Sequence, residues 1–374
     1  MNETKPTRWD MRILVMLAVV GAISLVFTNN VIATVVLMIS AYVSNASYSM
    51  VSRSAVRDSK LYHGFTTLFS NFIFYLVLKQ LVTENMTLSL FIPYTVATVY
   101  GSYTGAKTSQ RIEAFFGITA DSANKQPTPQ SMLAQKILLV FLCLLGLVVG
   151  IVSQDIIASL IVAGLAFGDN ITFSILRRSR NTSNTTYHIF ASLLKSLAWY
   201  ILFQSLTIKG MPFMLFIPYC FGSVLGGISG QSISGWVEKK IGATADGHLK
   251  SNLAWYEFIP WKSVLALLLI TVFAVLYLGN VEILFALAGL SALQQISFSV
   301  VSRSRQRNNM TYHVIASIFS NGVWFLTFRQ LQIKHWTDEL FVPYALGGTI
   351  GSVTGVGLSM GIEKAIGASS ESKK

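Results

Sequence analysis

Residues 297–331, SFSVVSRSRQRNNMTYHVIASIFSNGVWFLTFRQL, and 340–368, LFVPYALGGTIGSVTGVGLSMGIEKAIGA, hold two landmarks that occur three times in this chain. A Tyr-His pair stands at Tyr62-His63, Tyr187-His188 and Tyr312-His313, and a Pro-Tyr pair at Pro93-Tyr94, Pro218-Tyr219 and Pro343-Tyr344. Each landmark lies 125 residues from its next occurrence. Self-similarity at a fixed period reflects architecture and is read ahead of any local signal. With no insertion or deletion between landmarks, the chain reads as three tandem copies of one module.

Composition gives the class of that module. Of 374 residues, 52% are apolar and only 12% charged, and the mean hydropathy is +0.56. Charge-free runs at 13–28 and 137–153 approach the ~20 residues that a bilayer-spanning helix needs. In the first copy four helices, a to d, are expected at about 12–28, 30–52, 62–82 and 88–115. Four is an even number, so successive copies enter the membrane in the same orientation. The expected fold is all-α: a polytopic membrane protein of about 12 transmembrane helices, built as three parallel four-helix repeats with pseudo-threefold symmetry. The repeats are placed at 1–121, 133–246 and 259–374, with linkers at 122–132 and 247–258.

The net charge of +12 is sorted along the chain. Lys79, Lys209, Arg329 and Lys334 lie on the c–d side and Lys195 lies inside a helix. Every other Lys and Arg falls at the N-terminus, in a b–c loop, in a d–a linker or in the C-terminal tail. Cytoplasmic loops carry such an excess, so the expectation is a multi-pass protein of the cell membrane with both termini cytoplasmic. A nucleic-acid-binding patch would not sort itself by alternate loops, which excludes nucleic acid as the partner. The polar start, MNETKPTRWDMR, leads into a first helix with no small-residue cleavage site, and that helix is expected to be retained. Cys143 and Cys220 lie in apolar segments, do not recur between copies and read as packing residues.

Polar residues recur along two helices of each copy. On helix b, Asn45, Ser49 and Ser52 share a face, as do Asn170, Ser174 and Arg177, then Gln295, Ser299 and Ser302. These stripes end in Arg53, Arg178 and Arg303. Helix c opens at the Tyr-His pair and carries His63, Thr67, Ser70 and Asn71 in copy one, and His313, Ser317, Ser320 and Asn321 in copy three. Aromatic pairs follow, at Phe74-Tyr75, Trp199-Tyr200 and Trp324-Phe325. Helix d holds Gly101 and Gly105, Gly226 and Gly230, and Gly351 and Gly355, the GxxxG spacing that lets two helices approach closely in lipid. It closes on Glu113, Glu238 and Glu363, followed by Gly117, Gly242 and Gly367 as expected caps.

Three of these stretches, Val301-Ser302-Arg303-Ser304-Arg305, Asn321–Phe325, and Pro343-Tyr344-Ala345 through Gly351, Gly355, Glu363 and Gly367, carry a resemblance. Helices b, c and d of each copy resemble an uncharacterised family of small bacterial membrane proteins with three transmembrane helices, many of which carry a PII-like cytosolic domain. The resemblance covers about three-quarters of each copy. It implies a helical membrane fold and no particular activity. The chain departs from that family in helix a, the triplication, the Tyr-His pair and the lack of a soluble domain.

One reading of the recurrent groups is a pathway with a cationic cytoplasmic mouth that attracts anions. It would be lined by Arg53, Arg178, Arg303, the Tyr-His pairs, Asn45, Asn170, Asn71 and Asn321. The other is structural: arginines that report topology, and Ser and Asn side chains that bond across helices. The histidines either titrate or cap the b–c turn. Three around an axis could meet a metal, but no carboxylate or cysteine pattern supports one. The copies differ most where Asp169 replaces Ser44 and Gln294, and where Lys195 replaces Ser70 and Ser320. Both positions lie ~12–14 Å from the same b–c turn at 1.5 Å per residue, which makes them candidates for an intramembrane ion pair; such a pair either marks function or merely packs copy two. No phosphate loop, nucleophile elbow or zinc spacing is present, so neither an enzyme nor a bound cofactor is expected. A secondary or passive transporter or channel for a small polar or anionic solute or ion is the leading expectation. A scaffold or exclusion protein that binds a membrane-protein partner is the alternative.

Overall fold

The computed structural model describes residues 8–28, 30–54, 60–115, 155–180, 182, 184–242, 256, 259–304 and 310–368. Among these residues the chain is helical and has no strand. The first segment contributes α1 (Arg8–Val26), α2 (Val31–Ser54), α3 (Lys60–Thr83) and α4 (Phe91–Phe115). The second contributes α5 (Ile156–Ser179), α6 (Thr185–Ile208) and α7 (Phe216–Lys240), and the third α8 (Trp261–Leu278), α9 (Val281–Ser304), α10 (Met310–Ile333) and α11 (Phe341–Ala365). The helix expected near 133–153, Cys143, Gly117, the linker 122–132 and nearly all of the linker 247–258 fall outside the described residues.

Eight of the described helices are long and apolar enough to cross a membrane. A helix of 24 residues, such as α2, rises ~36 Å, which exceeds the ~30 Å hydrocarbon core. The outward faces are apolar: Ile32, Ile157, Leu269 and Phe273 are all exposed. Serine and threonine point inward instead, and many donate to the carbonyl three or four residues back, as Ser49 does to Asn45 and Thr271 to Leu267. Apolar outside and polar inside is the arrangement that a lipid solvent selects, and the chain is a multi-pass membrane protein.

Local chemistry sets the helix ends. Asp155 caps α5, its carboxylate accepting from the Ala158 N–H at 2.9 Å. That bond and nearby Lys209 hold the carboxyl below the usual range. Pro93, Pro218 and Pro343 sit third in α4, α7 and α11, where the missing N–H has no helical acceptor to satisfy. The turns ahead of these helices reverse through left-handed residues: Asn85 and Met86, Gly210 and Met211, His335 and Trp336. Each closes with an N–H bonded five residues back, Met86 to Leu81, Met211 to Leu206 and Trp336 to Leu331, a Schellman closure. The Met86, Met211 and Trp336 side chains are fully buried, which fixes each turn against the core.

Within a segment, the second and fourth helices touch backbone to backbone. A β-carbon on Gly101 would lie 2.1 Å from the Tyr42 carbonyl oxygen, one on Gly226 2.3 Å from that of Phe167, and one on Gly351 2.0 Å from that of Ala292. One turn on, Gly105, Gly230 and Gly355 pack a little less tightly, a β-carbon on each lying 2.5 Å from Ala46 Cα, 2.6 Å from Ser174 Oγ and 2.9 Å from Ser299 Oγ. The glycine pairs therefore join helices of the same segment. Contacts between segments run in cyclic order, with α3 on α7, α6 on α11 and α10 on α4. Polar links follow that order. Tyr75 donates to the Pro212 carbonyl at 2.7 Å, Tyr200 to that of Thr337 at 2.6 Å, and Arg329 to that of Met86 at 3.0 Å.

Gly351→Ala should destabilise the folded protein by about 1–3 kcal/mol, the range for overpacking a close contact, and lower the midpoint of thermal unfolding in detergent. Gly289→Ala, where an added methyl meets nothing within 4 Å, should leave that midpoint unchanged or raise it, since alanine favours a helix interior by ~0.5–1 kcal/mol over glycine. Equal losses at both positions would remove the close contact as the cause.

Candidate functional site

A cavity of about 270 Å³ lies where the three segments meet, lined by second, third and fourth helices from each of them. Two tiers of equivalent aromatic residues bound its centre. Tyr48, Phe173 and Phe298 form the tier nearer the basic b–c ends of the helices. The Phe298 ring lies 6.3 Å from Tyr48 and 6.4 Å from Phe173. Phe74, Trp199 and Trp324 form the deeper tier, with Phe74 and Trp324 6.0 Å apart. Tyr94 stacks on Trp324 and Tyr344 on Trp199, at 5.6 and 5.3 Å. Beyond the deeper tier the core is dry, and Leu81, Leu206 and Leu331 are completely buried at one level.

Between the tiers runs a belt of polar side chains. Ser44, Asp169 and Gln294 occupy one equivalent set and Ser70, Lys195 and Ser320 another. Lys195 Nζ donates to Asp169 Oδ1, the pairing for which their depth made them candidates, and the lysine also lies 5.6 Å from the centre of the Phe173 ring. Both side chains are largely shielded, at 15% and 12% exposure. Removing one partner would leave the other without its counter-charge in a shielded place.

Asn45, Asn170, Asn71 and Asn321 line the same cavity. Asn71, Asn170 and Asn321 each spend an amide N–H on the carbonyl four residues back in their own helix, and Asn71 Oδ1 accepts from Tyr219 at 3.1 Å. These amides therefore serve helix packing and cavity lining together.

Arg53, Arg178 and Arg303 lie off the cavity wall. Arg53 and Arg303 grip Glu113 and Glu363 with two bonds each, of 3.1 and 2.9 Å and of 3.0 and 2.7 Å. Arg178 meets Glu238 at 2.9 Å. Each pair ties the end of a second helix to the end of the fourth helix of its own segment. The arginine that lines the cavity is Arg177, which stands where the other segments have Ser52 and Ser302. Arg180, just past α5, lies over the Phe298 ring at 5.1 Å, with Gln295 Oε1 and Ser352 Oγ both at 3.4 Å. Burial lowers its pKa to about 10, which leaves it protonated at neutral pH.

Tyr62, Tyr187 and Tyr312 are buried and also lie off the wall; Tyr187 and Tyr312 pack among apolar side chains of their own segments. The histidines bind differently. His63, His188 and His313 meet Ser54, Ser179 and Ser304 through Nδ1, at 3.0, 2.9 and 2.8 Å. The partner is thus a hydroxyl at the end of the preceding helix, and the bond closes the b–c turn. His63 also faces the cavity. Among the described residues no group of three His, Cys, Asp or Glu could hold a metal ion.

Sequence reading offered Asp169 and Lys195 as a candidate pair and named Arg177, Gln295, Phe74, Trp199 and Trp324 within recurrent stripes, but it gave these no place in a pathway and did not mark Tyr48, Phe173 and Phe298. The signal was present as aromatic recurrence at 48, 173 and 298, and as one arginine replacing two serines. The chain matches no family model, no curated protein and no solved structure.

A double-mutant cycle tests the ion pair. Asp169→Ser or Lys195→Ser alone should cost about 3–5 kcal/mol, the range for breaking a buried pair. The two together should cost less than either, as serine already stands at 44, 70 and 320. Additive losses in thermal unfolding would mean that the two charges do not stabilise each other.

Proposed function

We propose that this protein is a secondary or passive transporter or channel of the cell membrane, which moves a small polar or anionic solute or ion through the cavity between its three segments. In this reading the segments are parallel repeats about a pseudo-threefold axis along the membrane normal, and the basic helix ends and both termini are cytoplasmic. The cyclic order of α3 on α7, α6 on α11 and α10 on α4 supports that arrangement. One observation carries the function: a cavity between the membrane-spanning helices, bounded by two aromatic tiers, with a belt of polar side chains and the Asp169–Lys195 pair in its wall.

The chemistry follows from that wall. The lining holds the cations Arg177 and Lys195 and the carboxylate Asp169, an excess of one positive charge when His63 is neutral. A small anion entering from the basic side meets that field in a place of low dielectric, where it is little screened. The nearer tier constricts the entry and the deeper tier closes the far side, so passage requires the tiers to part. A scaffold that only binds another membrane protein has no use for such an interior; its mark would be dry contacts between segments.

Flux into proteoliposomes is the test, with chloride, phosphate, potassium, protons and small organic anions as probes. Wild type should move at least one of these. Asp169→Ser with Lys195→Ser, which makes the second segment like the first at these positions, should reduce that flux at least about tenfold while the protein remains folded and inserted. No flux of any probe through folded, inserted wild type would favour the partner-binding alternative.

A further inference from the structure

The three contacts between a third helix and the next segment's fourth helix differ at one position. Ser102 on α4 faces α10, Ser352 on α11 faces α6, and Gly227 takes the equivalent place on α7, facing α3. Ser352 Oγ lies 3.2 Å from His188 Nε2. Ser102 Oγ lies 3.1 Å from His313 Nε2 and accepts from Ser317 Oγ at 3.3 Å. In those contacts a serine hydroxyl fills the space between histidine and its neighbour. At Gly227 that hydroxyl is missing, and two groups lose a partner. Thr67 Oγ1 is buried without a hydrogen bond, and His63 meets only Ser54, through Nδ1. A β-carbon built on Gly227 would stand 3.3 Å from Thr67 Cγ2 and 3.6 Å from both His63 Nε2 and Thr67 Oγ1; the sister positions of Thr67 are Ser192 and Ser317, which lack that methyl group.

In the two serine contacts the histidine Nε2 also faces a backbone carbonyl, that of Ser352 at 3.2 Å from His188 and that of Ser102 at 3.4 Å from His313. A carbonyl only accepts, so Nε2 donates in those contacts. At Gly227 the gap leaves His63 Nε2 beside Thr67 Oγ1, and one hydroxyl, which both donates and accepts, satisfies the two together. His63, Thr67 and Gly227 all line the central cavity, whereas their counterparts in the other two contacts do not.

We infer that the gap at Gly227 is the hydroxyl-recognition subsite of the cavity, and that the solute is a small hydroxylated carboxylate. Its hydroxyl takes the place of the missing serine oxygen between His63 and Thr67, and its carboxylate answers the single excess positive charge of the wall. This deepens the transport reading and rests on it. A hydroxyl between His63 Nε2 and Thr67 Oγ1 restores two bonds, whereas a solute without one leaves two buried polar groups unpaired, each at a cost.

Matched acids that differ by one hydroxyl test this: glycolate against acetate, and L-lactate against propionate, as flux into proteoliposomes. Wild type should prefer the hydroxy acid at least about tenfold in each pair. Gly227→Ser supplies the hydroxyl from the protein and should bring both ratios close to one while acetate and propionate still pass. The added β-carbon meets the Thr67 methyl at 3.3 Å, so the variant is compared with Gly227→Ala, which adds the same β-carbon without the hydroxyl and should keep the wild-type preference; that separates a filled subsite from a packing defect. Ser352→Gly, away from the cavity, should leave the ratios unchanged. Equal flux within each pair in wild type, or a preference that survives Gly227→Ser, would mean that the gap holds only water, and the inference is overturned. Chloride or phosphate flux without transport of any hydroxy acid overturns it too but leaves the transport reading standing. No flux of any probe overturns both.

Discussion

The approach of two backbones is the constraint from which the rest of this structure follows. Where Gly351 meets the Ala292 carbonyl there is no room for a single methyl group, and the same holds at Gly101 and Gly226. In lipid, apolar burial gives little reason for one helix to prefer another, so close packing and hydrogen bonds must select the partner. The glycine contacts make that selection for the second and fourth helix of each segment, and the Arg–Glu pairs at 53 and 113, 178 and 238, and 303 and 363 lock the ends of the same two helices. Once that pair is fixed, the third helix has one face left for a neighbour, and it meets the fourth helix of the next segment. The space where the third helices converge is the cavity.

Two kinds of polar group must then be kept apart in function. Serines and asparagines that bond within their own helix cost little in a membrane, because the acceptor is a backbone carbonyl already nearby. Asp169 and Lys195 are different, since neither charge has a local alternative at that depth. Their placement between aromatic tiers, with Phe173 under the ammonium group, keeps water from screening them and makes any change of charge in the cavity felt at both.

Much of this was legible in the sequence because it depends on spacing within one segment. The 125-residue period, the helix positions, the close glycines and the matching depths of Asp169 and Lys195 all follow from counting along one or two neighbouring helices. The first helix starts at Arg8 rather than near 12, since its polar first turn gives no apolar signal. The fate of Arg53, Arg178 and Arg303 was harder to read. A recurrent arginine at a helix end looks the same whether it faces a pathway or a glutamate, and the choice is set by the rotation of helix four. The aromatic tiers draw one residue from each segment, so no local window contains them. Gly227 is hidden most deeply: beside Gly226 and Gly230 it reads as one more packing glycine, and only its juxtaposition with His63 across a segment boundary separates it from Ser102 and Ser352.

The joining of the three segments in one chain has a consequence for stoichiometry. An assembly of three identical subunits can hold a group at its centre three times or not at all, so a lysine at position 195 would come with two more, and three ammonium groups facing one small space would repel. A continuous chain is free of that rule. It can place a single lysine opposite a single aspartate and leave serine at both sister positions. The interior can thereby become lopsided while the glycine contacts and Arg–Glu pairs recur among the described residues of all three segments.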